Sequence, residues 1–469
     1  MRRIAFAALL LVWSLPASAQ APSGKCALNL EFDRINTVQL PSGQRNTFLG
    51  GNIVARCPSQ KMILKSDSLE VYGDEGRSFF IGHVDYKEPR LALKSDFLTY
   101  FQREERMLAF LNVDAKLPSG STLKGNSLEF FRAVPRVRPK QRGVAVGRPT
   151  MSIIERDAQG KAQPPVTVTG NTIWLEGDSV VASSGEVVVV RPELTATGDS
   201  LYLDGGGGLL RIMRKPKITG TKNRPFTLVG ETIDLLTRRR KLERVVARNG
   251  AEAVSEDLNL KSDTIDLRVT DDLLQRATAW GASRARATSP SQTVLADSID
   301  VVMPGQRVRE MHAVRLATAE GMPDTTKFRT KERDRLTGDT IVARFDSIPA
   351  KDTVRKPSIK QLVAISNATS LQHLPANDTS IKMPAINYVT GQRITVTFDS
   401  AKVKTVQVVG RSGGAYLEPD STQARAARAA QSPTAAPPRP AAIPGGAPLP
   451  TPTPTTTTPP PAVPPARRP

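Results

Sequence analysis

One short phrase recurs along most of the chain: a small polar pair, then hydrophobic residues at alternate positions. It appears as Ser66-Asp67-Ser68-Leu69-Glu70-Val71, Ser95-Asp96-Phe97-Leu98-Thr99-Tyr100 and Gly125-Asn126-Ser127-Leu128-Glu129-Phe130. Gly170-Asn171-Thr172-Ile173-Trp174-Leu175, Gly198-Asp199-Ser200-Leu201-Tyr202-Leu203 and Gly230-Glu231-Thr232-Ile233-Asp234-Leu235 follow. The later copies are Ser262-Asp263-Thr264-Ile265-Asp266-Leu267, Asp297-Ser298-Ile299-Asp300-Val301, Gly338-Asp339-Thr340-Ile341 and, more loosely, Gly391-Gln392-Arg393-Ile394. Most neighbours lie roughly thirty residues apart, a spacing that signals a repeat architecture. Alternation puts each apolar pair on one face of a strand. The polar pair before it reads as turn chemistry, with Gly free to take positive φ and Asp or Asn bonding its own backbone. A second apolar stretch follows about ten residues later, as in Phe80-Ile81-Gly82-His83-Val84 and Leu242-Glu243-Arg244-Val245. Each unit therefore reads as strand, turn and return strand. No segment shows a sustained helical period with caps. The expectation is an all-β fold: an elongated, twisted antiparallel β-jelly roll of about ten repeats, whose inward pairs share one interior that no unit could bury alone.

The pattern divides the chain. Residues 46–131 and 167–420 carry the repeats, after an N-terminal segment over 20–45. Residues 132–166 hold Arg132, Arg136, Arg138, Lys140, Arg142 and Arg148 with several prolines, and read as a basic insertion. From 421 to 469 the chain is mostly Ala, Pro, Thr and Arg, a composition that buries no core and favours extended polyproline conformations. That stretch is expected to be a disordered tail.

Residues 1–19 read as a cleaved export signal: Arg2 and Arg3, an apolar run from Ile4 to Leu15, and Ala17-Ser18-Ala19 as the cleavage site. Export to an oxidising compartment makes Cys26 and Cys57, the two cysteines of the chain, candidates for a disulfide, with two buried thiols as the alternative. With 65 Lys+Arg against 45 Asp+Glu the net charge is +20, which favours an anionic ligand or surface. Nucleic acid is a poor fit, because the chain is exported and shows no interleaved aromatic and basic platform. Three histidines, His83, His312 and His373, lie in different units without ligand spacing, and no hydrolase, zinc or phosphate-loop motif appears. The expectation is a non-enzymatic protein without cofactor or metal.

These phrases, with their return strands, resemble the OstA-like family, the periplasmic jelly-roll modules of the lipopolysaccharide-transport bridge. Ile359-Lys360-Gln361-Leu362-Val363-Ala364-Ile365-Ser366-Asn367-Ala368 and the closing strand Val406 to Gly410 add to the likeness, which spans roughly residues 45–420. The resemblance implies an open barrel of V-shaped section whose apolar interior shelters acyl chains, with modules joined edge to edge by strand addition. On that reading the slot is lined by Leu69, Val71, Leu98, Tyr100, Leu128, Phe130, Ile173 and Leu175. Leu201, Leu203, Ile233, Leu235, Ile265, Leu267, Ile299 and Val301 continue it. For each of these, plain packed core is the alternative, since any half-buried strand alternates in this way. Arg136, Arg138, Arg238, Arg239 and Arg240 become candidates for lipid phosphates, or else solvated loop charges.

The implied partners are lipopolysaccharide or a related anionic glycolipid, other jelly-roll modules of the bridge by β-augmentation, and a translocon at the outer membrane. The implied location is the periplasm. Strands around Asn46–Arg56 and Val403–Gly410 are the candidate edges. The chain departs from the family in its number of repeats, in the basic insertion and in lacking a barrel-forming C-terminal segment. The rival reading is an exported structural or adhesive β-repeat with a filled core and no lipid.

Overall fold

The computed structural model describes residues 28–72, 76–154, 160–220, 225–239, 241–255, 258–346, 357–378, 381–399 and 402–419. The export signal, Cys26, Arg240 and the 421–469 tail lie outside the described residues.

The described chain is all β, with every strand pairing antiparallel and most of the longer strands pairing with their neighbours in sequence. β1 (Asn29–Glu31) and β2 (Arg34–Gln39) lie along one side of β3 (Arg45–Cys57), and β4 (Met62–Tyr72) along the other. The meander continues through β5 (Arg77–Glu88), β6 (Leu91–Phe101), β7 (Arg106–Lys116) and β8 (Thr122–Phe131). β9 (Arg142–Val146) and β10 (Thr150–Ile153) share the next side of β8. They pair with β11 (Val166–Thr169) and β12 (Thr172–Glu176), which pair in turn with β13 (Val180–Val190). β14 (Leu194–Asp204) carries β15 (Leu209–Met213) and β16 (Lys217–Gly220). β17 (Phe226–Val229) and β18 (Thr232–Arg238) join these to β19 (Lys241–Ser255). Then come β20 (Asn259–Thr270), β21 (Leu273–Thr288), β22 (Gln292–Val302) and β23 (Glu310–Gly321). β24 (Asp334–Phe345), β25 (Ile359–Pro375) and β26 (Pro384–Asp399) follow. β27 (Lys402–Val409) and β28 (Gly413–Leu417) both pair with β26.

The longer strands have two legs joined at a bend, and the recurring polar phrase marks that bend. This differs from the turn expected from the sequence. Gly50 pairs with Ser68 and Ile53 with Ser66, so Gly51 and Asn52 together oppose the single residue Asp67. Two residues against one is a β-bulge, which bends a strand without ending it. Both bulge residues are left-handed, Gly51 at φ 81° and Asn52 at φ 47°. The same device recurs as Gly82-His83, Leu111-Asn112, Gly185-Glu186, Asn249-Gly250, Arg315-Leu316 and Ser366-Asn367. These oppose Asp96, Asn126, Asp199, Asp263, Asp339 and Gln392 respectively.

The acidic residue also accepts a side-chain donor from the strand that follows. His83 Nδ1 lies 2.7 Å from Asp67, Asn112 donates to Asp96 at 2.7 Å, and Asn367 donates to Asp339 at 3.1 Å. One phrase thus ties three strands. The true turns are the segments between strands, such as 102–105 after β6.

One leg carries the phrase's apolar pairs, and the other carries a second inward set that includes Ile53, Leu64, Val84 and Leu93. Both sets belong to a single hydrophobic cluster, so the legs face each other across one interior that is jelly-roll-like in section. Residues 132–166 are not wholly an insertion: β9 and β10 fall within them, with Gly143, Ala145 and Met151 at the buried alternate positions. Among the described residues the first sheet edge is β1 and β2, not residues 46–56. β3 is paired on both sides, whereas every residue of β2 is exposed. The last edge is β27 and β28, near the expected place.

Candidate functional site

The inward pairs sit where the alternation put them. Leu69, Leu98, Tyr100, Leu128, Phe130, Ile173, Leu175, Leu201 and Leu203 are buried, as are Ile233, Leu235, Ile265, Leu267, Ile299 and Val301. Val71 is half-buried against the same cluster. The facing leg meets them with many small side chains, among them Ala55, Ala115, Ala196, Ala285 and Ala296. Large-against-small pairing brings the two sheets close and fills the space between. Each fully buried aliphatic side chain contributes roughly 1.5–3 kcal/mol.

The mouth between the free ends of the legs differs along the sheet. Near β5–β8 it is closed by a polar clasp. Arg132 follows β8 at the end of one leg and donates to Glu88 of the other leg, Nε at 3.0 Å, with Nη2 2.8 Å away. Its Nη1 reaches Glu105 at 3.0 Å and also Gln60, beyond β3. The Arg132 side chain is 14% exposed and that of Glu88 6%. Burial pushes the Tyr100 hydroxyl up to about 12, with the Glu105 carboxylate adding to it; that hydroxyl donates to Glu105 at 3.2 Å. Burial also raises Tyr86, beside Glu88. Desolvation disfavours the charged guanidinium, yet Tyr86 and Glu88 outweigh it and raise Arg132, so the clasp keeps its cation.

Toward the C-terminal end the mouth is held apart. A longer connection, residues 322–333, lies there in place of a tight turn, and a cavity of about 460 Å³ opens between the legs. Met311, Leu362, Val396 and Phe398 line it from one leg, and Ala319 and Leu336 from the other. A smaller cavity of about 60 Å³, bordered by Phe226, Leu260, Leu267 and Ala277, shares Leu258 and Val308 with it. Of the expected slot residues, Leu267 borders this smaller space.

The rim of the larger cavity is of mixed charge. Arg335 pairs with Glu320 at 2.9 Å, and Asp324 and Lys327 stand nearby. His373 is buried, with Nδ1 2.9 Å from Asp334 and Nε2 3.1 Å from Glu332. Burial pushes the Asp334 carboxyl up, against the His373 amide and ring, which pull it down.

The arginines proposed for phosphate are not gathered at this rim. Arg136 is exposed. Arg138 is held by the backbone, donating to the Arg132 carbonyl at 2.7 Å and lying over the Phe131 ring. Arg238 and Arg239 are exposed at the β18–β19 turn, Arg238 lying 3.8 Å from Glu243. Cys57 is buried at the end of β3, its sulfur 3.3 Å from the Ser59 hydroxyl. Among the described residues no group of three or more His, Cys, Asp or Glu is placed to hold a metal ion.

Sequence reasoning missed the clasp and the cavity. Arg132 stands in a run of basic residues with nothing to single it out, and the cavity depends on contacts between distant connections.

No family model and no curated protein matches the chain. Among solved structures, the chain is similar to the crystal structure of LptH from Pseudomonas aeruginosa, the LptA-homologous periplasmic component of the lipopolysaccharide transport device. The two are 20% identical with a TM-score of 0.22, over 25% of this chain and 83% of that one.

Proposed function

We propose that this chain is an exported, non-enzymatic lipid-binding protein of the lipopolysaccharide-bridge type. It shelters the acyl chains of lipopolysaccharide or a related anionic glycolipid between its two legs and joins like modules through its sheet edges. The observation that carries this reading is the single apolar interior shared by two facing legs and opening at a cavity, in a sheet whose strands at both described edges pair on one side only. A packed globule buries its apolar faces completely, whereas a lipid carrier needs apolar surface shielded from bulk water yet reachable from the side. The net charge of +20 suits an anionic cargo, and Arg136, Arg238 and Arg239 are exposed parts of that charge. A periplasmic location follows from the export signal, and there a Cys26–Cys57 bridge would pin the first strands to β3, stabilising by roughly 3 kcal/mol.

A second reading, a structural β-repeat with a filled core, is favoured by the burial of Ile173, Ile233, Ile265 and Ile299 to 0% exposure. One experiment separates the two. A photo-crosslinking residue is placed at Leu201, Ile265 or Met311, with exposed Glu186 as control, and the folded protein is irradiated with lipopolysaccharide. Adducts at inward positions and none at Glu186 support lipid carriage. A folded protein with no adduct at any inward position leaves the structural reading.

A further inference from the structure

We propose that the site occupied by lipid is the lateral cavity under the 322–333 segment, and that it takes one alkyl chain at a time. This rests on the lipid-binding reading and narrows it. The resemblance implies a continuous slot along the inner pairs, but at β11–β18 those pairs are closed against the facing leg, with Ile173, Ile212, Ile218 and Ile233 all at 0% exposure. The space lies instead at the mouth, where about 460 Å³ falls within the usual range for a small-molecule site. Its wall is Met311, Leu336, Leu362, Val396 and Phe398. Its one extension runs past Leu258 and Val308 into the smaller cavity beside Leu267, a narrow continuation suited to the end of a chain.

The 322–333 segment crosses this mouth as a strap. Met322 lines the entrance and is 57% exposed, whereas Phe328 is 2% exposed and turned into the cavity wall. The strap is tied over its second half. The Arg329 amide donates to the Lys382 carbonyl at 2.8 Å, and Glu332 and Asp334 hold the buried His373 ring. Phe328 is thus a plug on a tethered strap, and displacing it exposes the cavity from the side.

The rim narrows the head group. Glu320 and Arg335 neutralise each other across 2.9 Å, and the remaining lining charges, Asp324, Lys327 and Asp334, are of both signs. A mixed rim has no cluster of cations to clamp a phosphate. The site therefore selects the alkyl chain and leaves the head group in water outside the strap.

The test uses the mature chain and n-alkyl maltosides of increasing length, below their micelle concentrations, titrated calorimetrically. Affinity is expected to rise about fourfold per added methylene, the value for burying one methylene group, and then to level off when the cavity is full. Alkyl phosphocholines and alkyl phosphates of equal length should bind within about threefold of the maltosides, well under the tenfold that 1.4 kcal/mol represents. Ala319→Phe fills the cavity and should lower affinity at least tenfold. Met322→Glu, at the exposed entrance and away from the core, should do the same without altering the fold, and Phe328→Ala should speed association.

No dependence on chain length, or full binding by both Ala319→Phe and Met322→Glu, overturns the proposal. A preference of more than tenfold for the phosphates overturns its head-group part. Crosslinking of lipopolysaccharide at Leu201 together with no alkyl binding at the cavity would sink this site while the lipid-binding reading stood. Failure of both experiments would remove both.

Discussion

Gly82 shows why the repeat must be spelled as it is. Its φ is +78°, and a Cβ added there would lie 2.9 Å from Cγ and 3.0 Å from Cβ of Asp67, the residue that accepts from His83. Gly43 has a similar φ of +82° with nothing within 4 Å of its would-be Cβ. Gly43→Ala is expected to cost about 1 kcal/mol, the backbone term alone. Gly82→Ala adds the displacement of Asp67 and should cost about 2–3 kcal/mol. Denaturant midpoints followed by circular dichroism measure the difference, and equal losses would show that the bend does not depend on the Asp67 contact.

The outer face supplies a second residue-level case. Burial opposes ionisation of Asp234, but hydrogen bonds from Arg211, at 2.6 and 2.9 Å, and from Arg248, at 2.6 Å, outweigh it and hold the carboxyl below its usual range. A carboxyl lowered on folding adds stability above its unfolded pKa, and that stability is lost as pH falls through the folded value. Asp234→Asn should therefore cost about 2 kcal/mol at neutral pH. The gap between variant and parent should shrink below pH 3.8, the ordinary carboxyl value. A constant gap between pH 7 and pH 2 would refute the assignment.

At the scale of elements, the clasp is the part that closes the interior. Removing the cation leaves Glu88 buried without a partner, so Arg132→Met should cost about 3–5 kcal/mol, while Arg132→Met with Glu88→Leu should regain much of it. Amide exchange should quicken first where β5–β8 meet their turns, because those strand ends lose their tie across the mouth. If single and double variants lose the same stability, the two legs are not coupled through this pair. The strands themselves were legible in the sequence, since period-two alternation fixes which side of Leu69, Ile173 or Ile265 faces inward. The bends were not. Asp and Gly serve a turn and a left-handed bulge equally well, and only the strand opposite decides between them, as Asp67 set against Gly51-Asn52 shows. Arg132 and Phe328 stayed hidden for a related reason, because their partners lie far away in sequence: Glu88 and Gln60 for the one, a cavity wall built from β23 to β26 for the other.

For the whole described sheet the question is how its two edges are used. β2 exposes Ile35 at 58% and Val38 at 43%, while β28 exposes Leu417 at 59%. Soluble proteins blunt such edges with inward charges, prolines or covering loops. β2 has one charge, Arg34 at its start, and no proline. β28 has neither. β2 and β27 continue the leg that carries the phrase's apolar pairs, and β1 and β28 continue the other, so stacking β2 on β27 and β1 on β28 of another copy would extend both legs head to tail without closing the sheet. Sedimentation velocity is expected to show a concentration-dependent series of species, not a single dimer. Ile35→Lys with Val38→Lys should leave a monomer of unchanged circular dichroism, since both side chains are exposed and a charged edge strand repels added strands. The same substitutions should leave alkyl binding intact, because no β2 residue lines the cavity. A parent chain that stays monomeric at every concentration, or a double-lysine variant that still associates, would remove the edges from the assembly and leave the interior as the only functional surface.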